Sequence, residues 1–124
     1  MREKKKILIV EDEFLLAELL QRYLEQLGHK LCKAVATGKQ AIASAAKEQP
    51  DIIFMDIRLA GGMDGIEAAQ EIGVRYAIPI IFMTGYADPK VEQRARELNP
   101  VAYLLKPIGP PEIESAIASA FKKT

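Results

Sequence analysis

The amino-acid sequence predicts an α/β protein built on a doubly wound, five-stranded parallel sheet in the order 2-1-3-4-5, with helices on both faces. Five short apolar runs recur along the chain, separated by longer segments with helical spacing, an alternation that is typical of βαβ units. Three of the runs are continuously hydrophobic, as expected for parallel strands that helices cover on both faces. Right-handed crossovers leave few sheet orders open, and 2-1-3-4-5 is a common one for five strands.

The apolar runs are the predicted strands. Each is four or five residues long, and a segment of helical pattern follows it, which is the length and setting expected of a strand in a parallel sheet. In chain order, the five predicted strands comprise residues 7–10, 31–35, 52–55, 80–83 and 101–105.

The first two helices are predicted from leucine spacing and from capping residues. Residues 13–27 carry leucines at helical intervals, and Gly28 follows them where a left-handed C-cap is expected. The second helix begins after Thr37, a candidate N-cap, and ends before Pro50.

The other three helices begin at recognisable capping signals. Asp64 precedes the third helix and can accept hydrogen bonds from the amides that follow it. Asp88 and Pro89 form the N-cap and first turn of a fourth helix that runs to about residue 98, and Pro110 begins the fifth. Strands and helices together fill residues 1–124, which predicts one domain and no output domain in this chain.

The composition restricts the classes of function. The chain has 124 residues, of which 49% are hydrophobic and 27% charged, so that it has enough apolar residues to form a core of its own. Its formal net charge is zero, which argues against direct binding to nucleic acid or to an anionic membrane. No apolar run approaches the length of a membrane span. The single Cys32 fits a reducing compartment, and we expect a cytoplasmic protein.

Polar residues follow four of the predicted strands, where each strand ends. Glu11 and Asp12 end the first strand, Asp56 the third, Thr84 the fourth and Lys106 the fifth. In the predicted sheet order these four strand ends are neighbours. Ligands of such sheets bind beyond the carboxyl ends of the strands, at the point where the strand order reverses. The sequence therefore predicts a functional site at this edge.

The three carboxylates of this set predict a metal. Glu11, Asp12 and Asp56 would repel one another in one cleft unless a cation were present. Oxygen ligands without histidine or cysteine suit a hard ion, and Mg²⁺ held by a few carboxylates commonly recruits phosphate oxygens as well. We therefore expect Mg²⁺ and phosphoryl chemistry at this site.

Taken together and in order, these motifs resemble the receiver domains of response regulators in two-component signal transduction, whose fold is flavodoxin-like. The resemblance covers the whole chain. It rests on the acidic pair after Ile-Leu-Ile-Val, on Asp56 after Ile-Ile-Phe-Met, on Met63-Asp64-Gly65, on Thr84 followed by glycine, and on the segment from Ala102 to Pro107.

The resemblance implies a role for each residue of the site. Asp56 would be the phosphoacceptor, and the Mg²⁺ ligands would be the carboxylates of Glu11, Asp12 and Asp56 with the backbone carbonyl of Arg58. Lys106 and Thr84 would contact the phosphoryl oxygens, with Lys106 paired to Asp56 before phosphorylation. The remaining implied features are Tyr103 as a switch residue that changes rotamer with Thr84, and a cis peptide bond before Pro107.

The implied function is that of a regulatory phosphoacceptor, not an enzyme that turns over, although it would assist its own phosphorylation and dephosphorylation. The expected donor is a sensor histidine kinase or a phosphotransfer protein. Phosphorylation would change what the face formed by helix 4, strand 5 and helix 5 binds, and a phosphorylation-dependent homodimer is one allowed outcome. The downstream partner, or an output domain fused to the receiver, is not identified by the sequence.

Three other functions are possible for an acidic site at the edge of such a sheet. An aspartyl-nucleophile phosphatase usually needs a second aspartate two residues after the nucleophile, where this chain has Arg58. A flavodoxin-like cofactor binder would need small residues that cradle phosphate after the first strand, where this chain is acidic. A receiver-like binding module that is never phosphorylated would not need the intact set of Glu11, Asp12, Asp56, Thr84 and Lys106.

Overall fold

The computed structural model describes residues 4–121 as a central parallel sheet of five strands in the order β2-β1-β3-β4-β5. The strands and helices alternate along the chain, as the sequence predicts. In order, they are β1 (Lys6–Val10), α1 (Phe14–Gln26), β2 (Lys30–Leu31), α2 (Gly38–Glu48), β3 (Ile52–Asp56), α3 (Gly65–Arg75), β4 (Ile80–Thr84), α4 (Pro89–Arg96), β5 (Ala102–Leu105) and α5 (Pro110–Ala120).

The second strand is the element that departs most from prediction. We expected it over residues 31–35, but only Lys30–Leu31 form a strand, paired to Lys6 and Ile7 of β1. Beyond it the chain contacts β1 again at the isolated bridge between Val10 and Val35. Because β2 lies at the edge of the sheet, it needs only one row of backbone partners and can leave the sheet early.

The core forms two layers, one on each face of the sheet. Strand side chains alternate between the layers: Leu8, Ile53 and Phe82 lie in one, and Ile7, Phe54 and Ile81 lie in the other. The first layer packs against α2, α3 and α4, and the second packs against α1 and α5. All five residues of β3 are buried, which explains its continuous hydrophobic run and makes Asp56 the end of the most enclosed strand.

Helix capping follows the residues that the sequence singled out. The Thr37 side chain accepts a hydrogen bond from the amide of Gln40 and so caps α2. Asp64 and Glu67 form a reciprocal capping box at the start of α3. Asp88 accepts from the amides of Lys90 and Val91 at the start of α4. None of the helices within residues 4–121 is long and apolar enough to cross a bilayer.

Candidate functional site

The carboxyl ends of four adjacent strands bring the predicted site residues together. Glu11 follows β1, Asp56 ends β3, Thr84 ends β4 and Lys106 follows β5. Backbone hydrogen bonds tie these ends to their neighbours: the Ile57 amide donates to the Met83 carbonyl, and the Lys106 amide donates to the Thr84 carbonyl. Glu11, Asp56 and Thr84 are each 5% exposed or less, so polar groups line the floor of an otherwise apolar sheet edge.

Lys106 is the cation that the buried carboxylates share. Its Nζ donates to Glu11 Oε1 at 2.6 Å and lies 3.3 Å from Asp56 Oδ2. The predicted pair with Asp56 is present, but the shorter contact is to Glu11. The other carboxylate oxygen of Glu11 accepts from the amide of Glu13 at 3.1 Å, so both of its oxygens are held in place. The peptide bond between Lys106 and Pro107 is cis, as the family resemblance implies.

The pKa values of the two buried carboxyl groups, Asp56 and Glu11, shift in opposite directions. Burial, and next the hydrogen bond and negative charge of Glu11, raise the pKa of Asp56 to about 7. Burial also raises the pKa of Glu11, but hydrogen bonds from Lys106 and Glu13 outweigh it and leave the pKa lowered. Burial lowers the pKa of Lys106, and its contacts with Glu11 and Asp56 reverse that effect and raise it. Glu11 and Lys106 therefore form the ionised pair. The ionised form of Asp56 is disfavoured, and a further positive charge nearby would stabilise it.

The donor set fits a hard divalent cation. Carboxylate oxygens of Glu11, Asp12 and Asp56 lie within 4.8 Å of one another, and Asp12 is exposed to solvent while the other two are buried. A cation there would face water on one side, which suits Mg²⁺ because this ion retains several waters when proteins bind it. It would also favour ionised Asp56, whose pKa is raised by burial and by Glu11.

The start of α3 packs directly against the backbone of Asp56. The amide of Gly65 donates to the carbonyl of Ile57 at 2.8 Å. A Cβ atom at Gly65 would lie 2.0 Å from the Asp56 carbonyl oxygen and 3.0 Å from the Ile57 Cα. Only a glycine permits this approach. In the sequence Gly65 was one residue of a motif, and its contact with the backbone of Asp56 becomes visible only in the folded chain.

Thr84 bonds to the loop that follows it. Its Oγ1 accepts from the amide of Tyr86 at 3.2 Å and lies 3.5 Å from the carbonyl oxygen of the same residue. The guanidinium of Arg58, on the loop after β3, stacks over the Tyr86 ring with its carbon 3.9 Å from the ring centre. The family resemblance implies a role for the backbone carbonyl of Arg58, whereas the contact of its side chain with Tyr86 was not predicted.

Tyr103 lies on β5 and is half-buried between the sheet and α4. Among the described residues, its hydroxyl oxygen is buried and has no hydrogen-bond partner. Burial, followed by the charges of Glu92 and Asp88, raises its pKa. A buried hydroxyl without a partner costs free energy in the rotamer that carries it.

An apolar groove opens beside the site, between α1 and the loop from β5 to α5. It has a volume of about 290 Å³, and Glu11 and Lys106 form part of its wall. The first turns of α1 expose large apolar side chains: Leu19, which lines the groove, is 64% exposed, and Phe14 at the start of the helix is 77% exposed. The groove is lined mainly by Leu16, Leu19, Leu20, Tyr23, Ile108 and Ile113.

Comparison with known protein families identifies a match over residues 7–118 to the response regulator receiver domain. The transcriptional regulatory protein PdtaR of Mycobacterium tuberculosis is 31% identical over 119 residues, which cover 96% of this chain and 58% of that protein. The sporulation initiation phosphotransferase F of Bacillus subtilis is 34% identical over 114 residues, covering 91% of this chain and 90% of the relative. The chain spans about half the length of several other curated relatives, 48% to 50% of each.

Solved structures show the same fold. The signal receiver domain of a modulated diguanylate cyclase from Desulfovibrio desulfuricans superposes with a TM-score of 0.89 at 36% identity, covering 95% of this chain and 94% of the other. The sheet order observed here is the flavodoxin-like order of receiver domains. The predicted fold and family are both confirmed, and the chain belongs to the response regulator receiver domain family.

Proposed function

We propose that this chain is the phosphoacceptor receiver of a two-component phosphorelay, in which Asp56 takes a phosphoryl group from a phosphohistidine with Mg²⁺ bound beside it. The observation that carries the proposal is the convergence of three carboxylates and one lysine, with Asp56 raised in pKa to about 7 and within 3.3 Å of Lys106. Membership of the receiver family supports the same reading.

The chemistry requires little beyond position and charge. An oxygen of the Asp56 carboxylate would attack phosphorus in line, the phosphorus–nitrogen bond of the donor histidine would break, and an acyl phosphate would form. The attacking group is a carboxylate, so no base is needed to activate it. Lys106 favours the ionised form of Asp56 by its positive charge and would afterwards bind a phosphoryl oxygen.

The metal site of this proposal consists of the carboxylates of Glu11, Asp12 and Asp56 with the backbone carbonyl of Arg58. Mg²⁺ held there would neutralise negative charge on the phosphoryl oxygens as the group is transferred. Glu11 is anchored by Lys106 and by the Glu13 amide. Asp12 is exposed and therefore free to adjust its position to a ligand.

The switch would begin at Thr84, whose hydroxyl would turn from Tyr86 to a phosphoryl oxygen. Tyr103 would then change rotamer, and the surface of α4, β5 and α5 would change shape. Leu105 at the end of β5 is half exposed and adds apolar surface to that face. This is a shift between two packings, driven by the charge added at Asp56.

The partners follow from the same surfaces. A histidine kinase or phosphotransfer protein would reach Asp56 across the apolar groove, whose wall includes Glu11 and Lys106. We further propose a cytoplasmic receiver unit over residues 1–124 that does not itself bind nucleic acid, because its positive and negative charges balance. Its output passes to a downstream protein or a fused domain, and a homodimer formed on phosphorylation is one form that the output could take.

Phosphatase turnover is the second candidate function, and the structure gives it less support. The residue two positions after Asp56 is Arg58, an exposed cation stacked on Tyr86. A guanidinium is protonated throughout the accessible pH range and cannot serve as a general acid or base. The acyl phosphate would therefore persist until water or a partner removes it.

The direct test is incubation with Mg²⁺ and acetyl phosphate, followed by intact-protein mass spectrometry. We expect a gain of one phosphoryl mass in the wild-type chain and none in Asp56→Asn. Asp51→Asn is a matched control at the opposite end of β3, where Asp51 is exposed, and it should react as the wild type does. A gain that persists in Asp56→Asn would refute the assignment.

Asp12→Asn is expected to weaken Mg²⁺ binding at least about tenfold, because it removes one charged ligand from the site. Isothermal titration calorimetry measures this affinity directly. The substituted residue is exposed, so the thermal stability of the metal-free protein should change little. Unchanged Mg²⁺ affinity in Asp12→Asn would exclude Asp12 from the metal site.

A further inference from the structure

Within residues 4–121, both hydrogen-bond contacts of the Thr84 hydroxyl go to Tyr86, and the ring of Tyr86 is contacted from the loop after β3. Thr84 Oγ1 lies 3.2 Å from the Tyr86 amide nitrogen and 3.5 Å from the Tyr86 carbonyl oxygen. Arg58 lies over the ring of Tyr86 at 3.9 Å. Arg58 is two residues after Asp56, so the stack joins the loop after β3 to the loop after β4.

The Thr84 hydroxyl has a single proton to donate. It cannot be given to the Tyr86 carbonyl and to a phosphoryl oxygen at the same time. At 3.5 Å the first of these bonds is long for a hydroxyl donor. The resting position of Thr84 therefore depends on how firmly the backbone of Tyr86 is kept beside it.

We infer that the stack of Arg58 on Tyr86 is a latch that keeps the Thr84 hydroxyl on the Tyr86 backbone and so favours the unphosphorylated packing. The inference rests on the proposed function, in which Thr84 moves to the phosphoryl group. Arg58 and Tyr86 are positioning residues here, acting on the switch through Thr84. Both side chains are exposed, with Tyr86 57% exposed, so the latch can open without disturbing the core.

The strength expected of the latch is modest and measurable. A guanidinium stacked on an exposed aromatic ring changes an equilibrium constant by about two- to fivefold. Opening the latch should shift the resting population toward the packing that accepts a phosphoryl group by the same factor. A ligand that binds only that packing should then bind more tightly.

The test is a double-mutant cycle that measures the affinity for beryllofluoride, a mimic of the phosphoryl group, in the presence of Mg²⁺. Arg58→Lys keeps the charge but loses the planar stack, and Tyr86→Leu removes the ring but keeps an apolar side chain. Each is expected to tighten beryllofluoride binding about two- to fivefold. The double variant should bind no more tightly than the tighter single variant, since both changes open the same latch.

Arg22→Lys is the matched control, because Arg22 is an exposed arginine on α1 that pairs with Glu18 of the same helix at 2.9 Å and lies outside the proposed switching face of α4, β5 and α5. Its beryllofluoride affinity should equal that of the wild type. Equal or weaker binding in Arg58→Lys and Tyr86→Leu, or effects that add in the double variant, would overturn the latch.

A second readout needs no phosphoryl mimic. Three-bond couplings to the Thr84 methyl group report its χ1 rotamer in the free protein by NMR. We expect one dominant rotamer in the wild type and a share of the minor rotamer about two- to fivefold larger in Arg58→Lys, and an unchanged share would contradict the latch. If the wild-type chain failed to bind beryllofluoride at all, the proposed phosphoryl site would be refuted, and the rotamer measurement would still decide the latch.

Discussion

Gly65→Ala is expected to lower the free energy of unfolding by about 3 kcal/mol, because the added methyl group has no space in the folded chain. The added Cβ would lie 2.0 Å from the carbonyl oxygen of Asp56. Backbone atoms surround this point, so relief requires α3 to move away from β3. The movement would also strain the hydrogen bond from the Gly65 amide to Ile57.

Chemical denaturation of Gly65→Ala measures the loss, and Gly73→Ala in the same helix is the control. A Cβ at Gly73 meets no atom within 4 Å, so alanine there should stabilise α3 by about 0.5–1 kcal/mol through its better helix propensity. Phosphorylation by acetyl phosphate should slow in Gly65→Ala and stay unchanged in Gly73→Ala. Equal stability of the two variants would show that the start of α3 does not pack tightly against the backbone of Asp56.

Lys106→Met is expected to destabilise the metal-free protein by about 3 kcal/mol at pH 8. The substitution leaves Glu11 and Asp56, which are 5% and 4% exposed, without their shared cation. Removing one partner of a buried ion pair costs more than the pair contributes, because the remaining charge is left desolvated. Mg²⁺ should recover much of the loss, since it replaces the missing positive charge.

The pH dependence has a definite sign. The pKa of Asp56 is raised from 3.8 to about 7 in the folded chain, so its favourable contribution to stability is full below 3.8 and is lost as the pH rises through 7. Without Lys106 the pKa of Asp56 rises further, because that cation lowers it. The penalty in Lys106→Met should therefore be smaller at pH 5.5 than at pH 8.

Thermal unfolding of Lys106→Met with and without Mg²⁺ at both pH values measures these differences. Lys6→Met is the control, because Lys6 contacts Glu48 at 3.0 Å at the opposite end of the sheet, where both side chains are about one-third exposed. Its effect should be smaller and independent of Mg²⁺. If Mg²⁺ did not reduce the loss of stability in Lys106→Met, the three carboxylates would not form a Mg²⁺ site.

Local patterns in the sequence determined most of this fold. The hydrophobic runs at β1, β3 and β4 are continuous because each strand is covered on both faces. Such runs can be identified from the sequence without a structure. The caps at Thr37, Asp64 and Asp88 act within a few residues along the chain and were predicted for the same reason. The short β2 was not predicted correctly, since the length of an edge strand depends on its neighbour.

The functional site, like the fold, was predicted in part from the sequence and in part became known only from the structure. The sequence alone determined that Glu11, Asp12, Asp56, Thr84 and Lys106 would lie at one edge of the sheet, because they stand at the ends of strands in a sheet whose order could be predicted. Only the tertiary structure decided that Lys106 lies nearer to Glu11 than to Asp56 and that Arg58 covers Tyr86. It also decided that Gly65 touches the backbone of Asp56. These contacts join residues that are far apart along the chain or lie in different loops, so they depend on how the loops pack and not on local sequence patterns.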